Sequence, residues 1–293
     1  VPILVDLEVF PAPPDDPTDD ILKHITRRLG SALAAKGVAS PELDRFGATP
    51  SIVQWKEGVQ ELLSRIESTG LQILLMLDEV EYLTSDKVDV AEGDLPRIAQ
   101  MLGAFRSLVQ ESSNFTFLLS GLASAITESG RLYGRPNPLF SWAKTYYIKP
   151  FTRLEADELS TVTGGRMGIE FDLRALAALF DGSGGHAFLY RSLASAAVKQ
   201  LPQAVYRRLV GVPEVQRAFV PWRAEMAGHV QEMLNHVKRY YKTEALLLEF
   251  LMDDPADFED LARSEGQAVR HLVNLGLVNE DGHAYALNSL LEL

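Results

Sequence analysis

The sequence Leu71-Gln-Ile-Leu-Leu-Met-Leu-Asp-Glu79 is the strongest structural signal in the chain. Its apolar core is continuous and does not alternate with polar residues, which is typical of a strand covered on both faces in a parallel sheet. Asp78 and Glu79 follow at the carboxyl end of this strand, where open α/β sheets bind their ligands. The stretch therefore predicts an α/β domain with a site at these two acids.

Helix and strand patterns alternate on both sides of this stretch. Apolar residues recur on one helix face in three segments: 21–36, 51–68 and 98–109. Further strands are predicted in three others: 2–10, 115–120 and 144–149. This alternation predicts a three-layer α/β core with a parallel sheet over residues 1–150.

The alternation stops at Pro150. Thr152 and Glu155 have the spacing of a capping box, in which each side chain accepts a hydrogen bond from the backbone N–H of the other residue. Three helices without a strand are expected over residues 151–205, and they form a helical lid. The sequence Gly182-Ser-Gly-Gly separates the second of these helices from the third.

The remaining residues predict a helical linker and a winged helix. Residues 206–242 are mostly helical in pattern, and residues 243–293 read as three helices followed by a hairpin that turns at Asp281-Gly282. A recognition helix would display four side chains: Gln267, Arg270, His271 and Asn274. Residues 241–293 carry three basic and eleven acidic residues, a balance that repels phosphates. A packing or protein-interaction role is therefore favoured over DNA binding.

Composition excludes several classes of protein. The 293 residues are 46% hydrophobic, carry a formal charge of −12 and include no cysteine. Such a chain is not disordered, and it has neither a disulfide scaffold nor a cysteine nucleophile. The acidic balance disfavours nucleic acid and anionic membranes as partners. No uncharged stretch reaches the roughly 20 residues of a membrane helix, and no signal-peptide pattern is found, so a cytoplasmic protein is expected.

Three further side chains are predicted to join the two acids. Ser120 ends the next core strand and would stand beside Asp78, where it could sense a γ-phosphate or a water molecule. Arg131 and Arg135 flank a Tyr-Gly pair in the following loop, from which arginines can reach a phosphate in the same subunit or across an interface. The plainer alternatives are solvated acids at a strand end, a capping serine and solvated loop arginines.

Five motifs, in this order, resemble those of the AAA+/STAND class of P-loop ATPases, closest to its archaeal-type and origin-recognition-like branch. They are Leu74-Leu-Met-Leu-Asp-Glu, Phe117-Leu-Leu-Ser-Gly, Leu132-Tyr-Gly-Arg, Ile148-Lys-Pro-Phe with the following Leu154-Glu-Ala-Asp-Glu-Leu, and Gly184-Gly-His-Ala-Phe. The resemblance implies a nucleotide domain followed by a lid and a winged helix, with ATP and Mg²⁺ as cofactors. It makes Asp78 a Mg²⁺ ligand through water, Glu79 the catalytic residue and Ser120 sensor 1. It also places His186 near the nucleotide, at the start of a lid helix.

One motif of this class is missing. No G-x-x-x-x-G-K-[ST] occurs in the sequence, so the loop that cradles the phosphates is absent. A sheet without the strand that precedes this loop would leave buried backbone groups unpaired. We therefore expect that Val1 is not the natural start, that an upstream strand, loop and helix exist, and that the chain as given is inactive. Phe188 also stands where this class often has an Arg, and Arg191 is the nearest alternative.

Three functions remain open. The first is a STAND-like switch that couples ATP binding and hydrolysis to conformational change in signalling or defence, with a homo-oligomer or an effector protein as its partner. The second is a DNA-binding AAA+ factor of the origin-recognition or transposition type, and the third is a non-hydrolysing interaction scaffold. A metal site built on histidines is not expected, because the six His residues lack metal-binding spacing. A serine hydrolase is rejected, because no G-x-S-x-G follows a strand.

Overall fold

The computed structural model describes residues 1–11, 15–46, 50–84, 97–121, 125–202, 208–253, 255–281, 284–288 and 291. These residues belong to two compact units, Val1–Thr145 and Tyr146–Leu293. Each unit has a hydrophobic core of its own.

The first unit is built on three parallel strands in the order β1-β2-β3. Its elements are β1 (Pro2–Asp6), α1 (Thr18–Ala34), α2 (Pro41–Asp44), α3 (Ile52–Ile66), β2 (Ile73–Asp78), α4 (Ile98–Glu111), β3 (Phe115–Leu119), α5 (Ala125–Glu128), β4 (Arg131–Leu132) and β5 (Arg135–Pro136). A 3₁₀ turn, Val80–Leu83, follows β2. The parallel sheet and its three strands are where the sequence predicts them, although β1 ends before residue 10.

One face of this sheet is buried. The register pairs Ile3 with Leu75 and Leu75 with Phe117, so alternate residues of the three strands point to the same face. Ile3 and Leu75 are buried, and helices α1, α3 and α4 contribute apolar side chains to the same core. This burial is the main stabilising contribution to the unit.

The opposite face is partly open. Leu4 is 48% exposed and Leu118 is 54% exposed, and Met76 between them is only partly buried. The register pairs Met76 with both leucines, so the three side chains form a row across the sheet. The described part of the unit thus has two layers, and the predictions of three layers and of a strand covered on both faces are wrong here. A continuous apolar sequence produces burial only where a second layer packs against it.

The predicted fourth strand at 144–149 is also wrong. These residues form no strand, and Tyr146 and Ile148 are 74% and 95% exposed. The pattern satisfies the side-chain preferences of a strand, but a strand also needs a hydrogen-bonding partner. In the described part of the first unit, β3 pairs only with β2.

The second unit begins with the helices that the sequence predicts after Pro150. They are α6 (Arg153–Arg166), α7 (Leu173–Ser183) and α8 (Ala187–Val198). Thr152 and Glu155 form the predicted capping box at the start of α6. The expectation of no strand is wrong, because β6 (Ile169–Phe171) pairs in parallel with β7 (Arg208–Val210). The pairing partner lies far along the chain, so each short run shows no strand pattern of its own.

A single long helix, α9 (Val212–Tyr240), occupies most of the segment predicted as a linker. It tolerates Pro213 in its first turn, where the N–H is not needed, and it also contains Pro221. Six side chains on one face of α9 are buried in the core of the second unit: Val215, Ala218, Trp222, Met226, Val230 and Val237. Helix α9 is therefore part of this core.

The C-terminal module consists of three helices and an antiparallel hairpin. Its elements are α10 (Lys242–Asp253), α11 (Pro255–Ser264), α12 (Gly266–Asn274), β8 (Val278–Asp281) and β9 (Ala284–Leu287). The predicted turn residue Gly282 lies outside the described residues. None of the described helices has the length and apolarity required to cross a membrane.

Candidate functional site

The carboxyl ends of β2 and β3 bring Asp78 and Ser120 together. Ser120 Oγ donates a hydrogen bond of 2.7 Å to Asp78 Oδ1. The backbone fixes this contact, because the Ser120 N–H donates to the Leu77 carbonyl and the Val80 N–H donates to the Ser120 carbonyl. The predicted proximity of the two side chains is thus present, and it follows from the parallel register of the two strands.

Glu79 adopts a left-handed backbone conformation, with φ 59° and ψ 47°. The left-handed region of φ/ψ space is unfavourable in free energy for a residue other than glycine, and residues strained in this way cluster at functional sites. A hydrogen bond with Glu81, burial, and the charges of Glu81, Asp78 and Glu8 raise the pKa of Glu79 to about 7. Glu79 therefore exchanges a proton near neutral pH, as a general base requires.

Glu81 is a member of the site that the sequence patterns did not reveal. Gly121 makes room for it, since a Cβ on Gly121 would overlap Glu81 Oε2 and would lie 2.7 Å from the Val80 nitrogen. Gly121 also has φ +152°, which L side chains rarely adopt. The signal was present in the sequence: a glycine directly after Ser120 and an acid two residues after Glu79.

Arg131 and Arg135 lie on a β-hairpin, where the sequence predicts a loop. Strands β4 and β5 pair across Tyr133 and Gly134, and both turn residues have positive φ. Tyr133 Oη donates to the Leu83 carbonyl at 2.6 Å, which ties the hairpin to the turn after β2. Arg131 Nη1 donates to the Gly134 carbonyl at 2.7 Å, so this guanidinium stabilises the turn of its own hairpin. The Arg135 side chain makes no ion pair with the residues that the structure describes.

His186 belongs to the second unit, whereas Asp78 and Ser120 belong to the first. It caps helix α8, because its Nδ1 accepts a hydrogen bond of 3.5 Å from the Leu189 N–H. Burial lowers the pKa of His186, so the ring is held neutral and can accept this bond. Arg191 is exposed on α8, as a surface residue of the helix would be.

The oxygen donors at the carboxyl end of β2 fit Mg²⁺. Mg²⁺ prefers oxygen ligands and is usually held by one or two carboxylates together with phosphates and water. Asp78 and Glu79 supply carboxylates, and Ser120 supplies a hydroxyl beside Asp78. No group of three or more His, Cys, Asp or Glu side chains among the described residues could hold a metal ion. A Mg²⁺ ion here would therefore need further ligands from a bound phosphate.

The predicted recognition helix displays fewer polar side chains than the sequence suggests. His271 is 8% exposed, and its Nδ1 lies 2.7 Å from Glu244 Oε1 on α10. It therefore stabilises the packing of α12 against α10, and its predicted display is wrong. Gln267 and Arg270 are exposed, and Asn274 is partly exposed. Helical periodicity alone does not show which partly polar face of a helix turns inward when its hydrogen-bond partner lies on another helix.

Comparisons with known proteins give matches among solved structures alone, since no protein-family model and no curated protein matches the chain. The Aeropyrum pernix ORC2 protein, solved in ADPNP and ADP complexes, is 14% identical with a TM-score of 0.52, over 100% of this chain and 76% of its own. Cdc6p from Pyrobaculum aerophilum is 12% identical with a TM-score of 0.42, and the match covers 98% of this chain and 75% of Cdc6p. The Thermotoga maritima RuvB Holliday junction branch migration motor is 13% identical with a TM-score of 0.39, and the match covers 92% of this chain and 91% of RuvB.

The similarity to ORC2 is a similarity of fold. The chain shares with ORC2 a mixed α/β architecture with a parallel sheet and many helices. The mixed α/β fold with a parallel sheet, which the sequence predicts, is confirmed. Membership of the AAA+/STAND class and of its origin-recognition-like branch stays a prediction. The helical lid, the winged helix and the roles of the individual site residues stay predictions as well.

Proposed function

We propose that the chain is the core of an AAA+ ATPase of the origin-recognition type, with ATP and Mg²⁺ as its cofactors. Asp78 holds Mg²⁺ through water, Glu79 polarises the water that attacks the γ-phosphate, and Ser120 senses that phosphate. The observation that carries the proposal is the hydrogen bond from Ser120 Oγ to Asp78 Oδ1 at the carboxyl ends of two adjacent parallel strands.

Glu79 adds two further arguments. Its pKa of about 7 suits a group that takes a proton from water near neutral pH. Its left-handed backbone turns the chain sharply at the end of β2, and backbone strain of this kind is common at active sites. A solvated acid at an ordinary strand end would need neither feature.

We further propose that the phosphate loop comes from a strand–loop–helix unit that this sequence does not contain. The outer edge of β3 has no partner strand in the described part, and the row of Leu4, Met76 and Leu118 is partly open. A strand beside β3 and a helix over this row would complete the sheet. Charge also favours a cationic loop, because five acidic residues lie at or just after the ends of β1 and β2 and disfavour a bound phosphate: Asp6, Glu8, Asp78, Glu79 and Glu81.

The test compares the 293-residue chain with a version extended by the residues that precede Val1 in the gene. Hydrolysis of ATP is expected only in the extended version. In that version Glu79→Gln should abolish hydrolysis and preserve binding of Mg·ATP, because the attacking water loses its base. Glu57→Gln, on the exposed side of α3, is the matched control. Full turnover in Glu79→Gln would show that Glu79 does not polarise the attacking water. Full ATPase activity of the 293-residue chain would overturn the proposal of a separate phosphate loop.

Arg135 is proposed as the arginine that stabilises the transition state, within the subunit or across an oligomer interface. Its guanidinium makes no ion pair with the described residues, whereas that of Arg131 is bound to Gly134. Arg135→Ala in the extended version should lower the ATPase rate by about 10³-fold, the lower end for arginine fingers. Arg131→Ala, on the same hairpin, should lower the rate far less. Equal losses in both variants would contradict this assignment.

A STAND-like switch is the second candidate function. It is favoured by the excess of acidic residues after residue 241 and by the burial of His271, which leave α12 poorly equipped to contact DNA. The C-terminal module then contacts protein and responds to the nucleotide state. The similarity in fold to ORC2 supports the other alternative, a DNA-binding factor of the origin-recognition type.

A mobility-shift titration at two salt concentrations separates these two candidates. A DNA-binding factor should bind a duplex with a steep loss of affinity as salt rises, since each phosphate contact releases counterions. Arg270→Ala, the exposed cation of α12, should then reduce the affinity and the salt slope. A switch should show no shift at either salt concentration and should change its oligomeric state with nucleotide.

A further inference from the structure

Two consecutive glycines form the loop between α7 and α8, here called the lid loop (Gly184–His186). Gly184 has φ +59° and Gly185 has φ +72°, so both adopt a conformation that L side chains rarely take. Gly185 is also held by its neighbours: its carbonyl accepts a hydrogen bond of 2.8 Å from the Phe151 N–H, and a Cβ on it would lie 2.6 Å from the Phe151 carbonyl. The lid loop is therefore fixed to the residue that precedes the capping box of α6.

Asn288, directly after β9 of the C-terminal module, holds the other glycine of the lid loop. Its side chain is 1% exposed, and Nδ2 donates to the Gly184 carbonyl at 3.0 Å and to Asn279 Oδ1 at 3.2 Å. A Cβ on Gly184 would overlap Asn288 Oδ1, so the fit leaves no room for a side chain at position 184. The backbone of Asn288 is fixed as well, because its N–H donates to the Leu277 carbonyl at 3.0 Å.

A second contact joins the same two parts of the chain. Gly276, in the turn after α12, has φ +74°, and a Cβ on it would overlap the ring of Pro150. Pro150 directly precedes Phe151, whose N–H holds Gly185. The C-terminal module thus contacts the lid loop directly through Asn288 and contacts the segment beside it through Gly276.

We propose that Asn288 is a positioning residue through which the C-terminal module sets the conformation of the lid loop and hence the place of His186. Release of this contact lets the lid loop leave its left-handed conformation. The consequence for nucleotide binding rests on the proposed function, because only that proposal puts His186 near the nucleotide. The control of the lid loop by Asn288 stands on the contacts within the second unit.

Hydrogen exchange in the full chain tests the proposal without nucleotide. The reporters are the amides of His186 and Leu189 in and after the lid loop and the amide of Phe151. Asn288→Ala should speed their exchange by at least tenfold and leave the amides around Trp222 in α9 unchanged. Asn274→Ala, in the same module, is the matched control. Unchanged exchange at His186 and Phe151 in Asn288→Ala would overturn the proposal, as would an equal increase throughout the second unit.

A variant of equal size distinguishes the loss of the hydrogen bond from a loss of packing. Asn288→Asp keeps the shape of the side chain and replaces the donor by an oxygen that faces the Gly184 carbonyl. The proposal expects this variant to speed exchange in the lid loop as Asn288→Ala does. Wild-type exchange rates in a folded Asn288→Asp protein would show that the donated hydrogen bond does not hold the loop.

A double-mutant cycle tests the contact itself. Gly184→Ala should lower the melting temperature strongly in the wild type, where its methyl group meets Asn288, and less in the Asn288→Ala background. Gly37→Ala measures the cost of a positive φ alone, because Gly37 has φ +73° and a Cβ added to it would have no atom within 4 Å. Additive shifts of the melting temperature for Gly184→Ala and Asn288→Ala would contradict the proposed contact.

Binding of fluorescent ADP separates this proposal from the proposed function. In a version that binds the nucleotide, Asn288→Ala should weaken binding by at least threefold and Asn274→Ala should not. If no version binds nucleotide, the proposed function fails, while the exchange measurement still decides whether Asn288 controls the lid loop. If nucleotide binds equally well to wild type and Asn288→Ala although the loop exchanges faster, the link to the nucleotide is overturned.

Discussion

At the scale of single residues, the geometry at the end of β2 depends on contacts among a few residues that lie close together. Ser120 reaches Asp78 because the parallel register places the strand ends side by side. A hydrogen bond with Glu81 raises the pKa of Glu79, and Gly121 provides the space for Glu81.

The raised pKa of Glu79 predicts a specific dependence of stability on pH. The pKa is about 7 in the folded chain, against an ordinary value of 4.5. Between these values the folded state holds a proton that the unfolded state has lost, so the free energy of unfolding falls as the pH rises from about 4.5 to 7. Melting temperatures measured from pH 5 to 8 should fall more in the wild type than in Glu79→Gln. Parallel profiles for the two proteins would contradict the raised pKa.

Gly121 should be intolerant of a side chain. Gly121→Ala adds a methyl group against Glu81 and the Val80 nitrogen and strains the backbone, so it should cost about 1–3 kcal/mol of stability. Gly165→Ala is the matched control: a Cβ added to Gly165, in α6, would have no atom within 4 Å, and alanine there should stabilise by about 0.5–1 kcal/mol. Chemical denaturation of both variants measures the difference. Equal effects would show that Gly121 is not constrained.

At the scale of the elements, the first unit has a sheet with two unlike faces. Alternate residues of β1, β2 and β3 pack into the core with α1, α3 and α4, buried in β1 and β2 and partly buried towards the end of β3. The row of Leu4, Met76 and Leu118 on the other face is partly open. Parallel sheets are normally covered on both faces. The open row is where the proposed loop-bearing unit would add its helix.

Two leucine-to-alanine substitutions on opposite faces of the sheet measure this asymmetry. Leu75→Ala, in the buried face, should cost about 2–5 kcal/mol. Leu118→Ala, on the open face of the neighbouring strand, should cost less than about 1 kcal/mol because half of its surface is already in water. Urea denaturation gives both values. A cost for Leu118→Ala that matches Leu75→Ala would mean that the row is covered in solution.

At the scale of the whole molecule, two units with separate cores are joined between Thr145 and Tyr146. Helix α9 runs through the core of the second unit and contacts both the helices α7 and α8 and the C-terminal module. The two parts of the second unit are therefore stabilised together, and the contact between Asn288 and Gly184 belongs to the same unit.

Calorimetry should resolve two thermal transitions, one for each unit, because separate cores unfold separately. Leu62→Ala in the first core should lower only one transition, and Leu193→Ala in the second core only the other. Each shift should be on the order of 5–15 °C. A single transition lowered by both variants would show that the units unfold as one.

The sequence by itself determined the local elements of this protein. The apolar run before Asp78, the helical periodicities and the capping box at Thr152 depend on neighbouring residues, so the three core strands and most helices were predictable. The pairing of Asp78 with Ser120 was predictable as well, because parallel strands bring their carboxyl ends to one edge.

Only the tertiary structure decided features that need a partner distant in sequence. Residues 144–149 have strand character and no pairing strand, while β6 and β7 show no strand pattern and pair with each other. His271 turns inward where Glu244, on another helix, is its hydrogen-bond partner. The pKa of Glu79 is raised by its near neighbour Glu81 and by burial, and the charge of the distant Glu8 adds to that rise. Hydrogen bonds, burial and charge interactions act over distances of a few ångströms between groups that the chain separates by tens of residues.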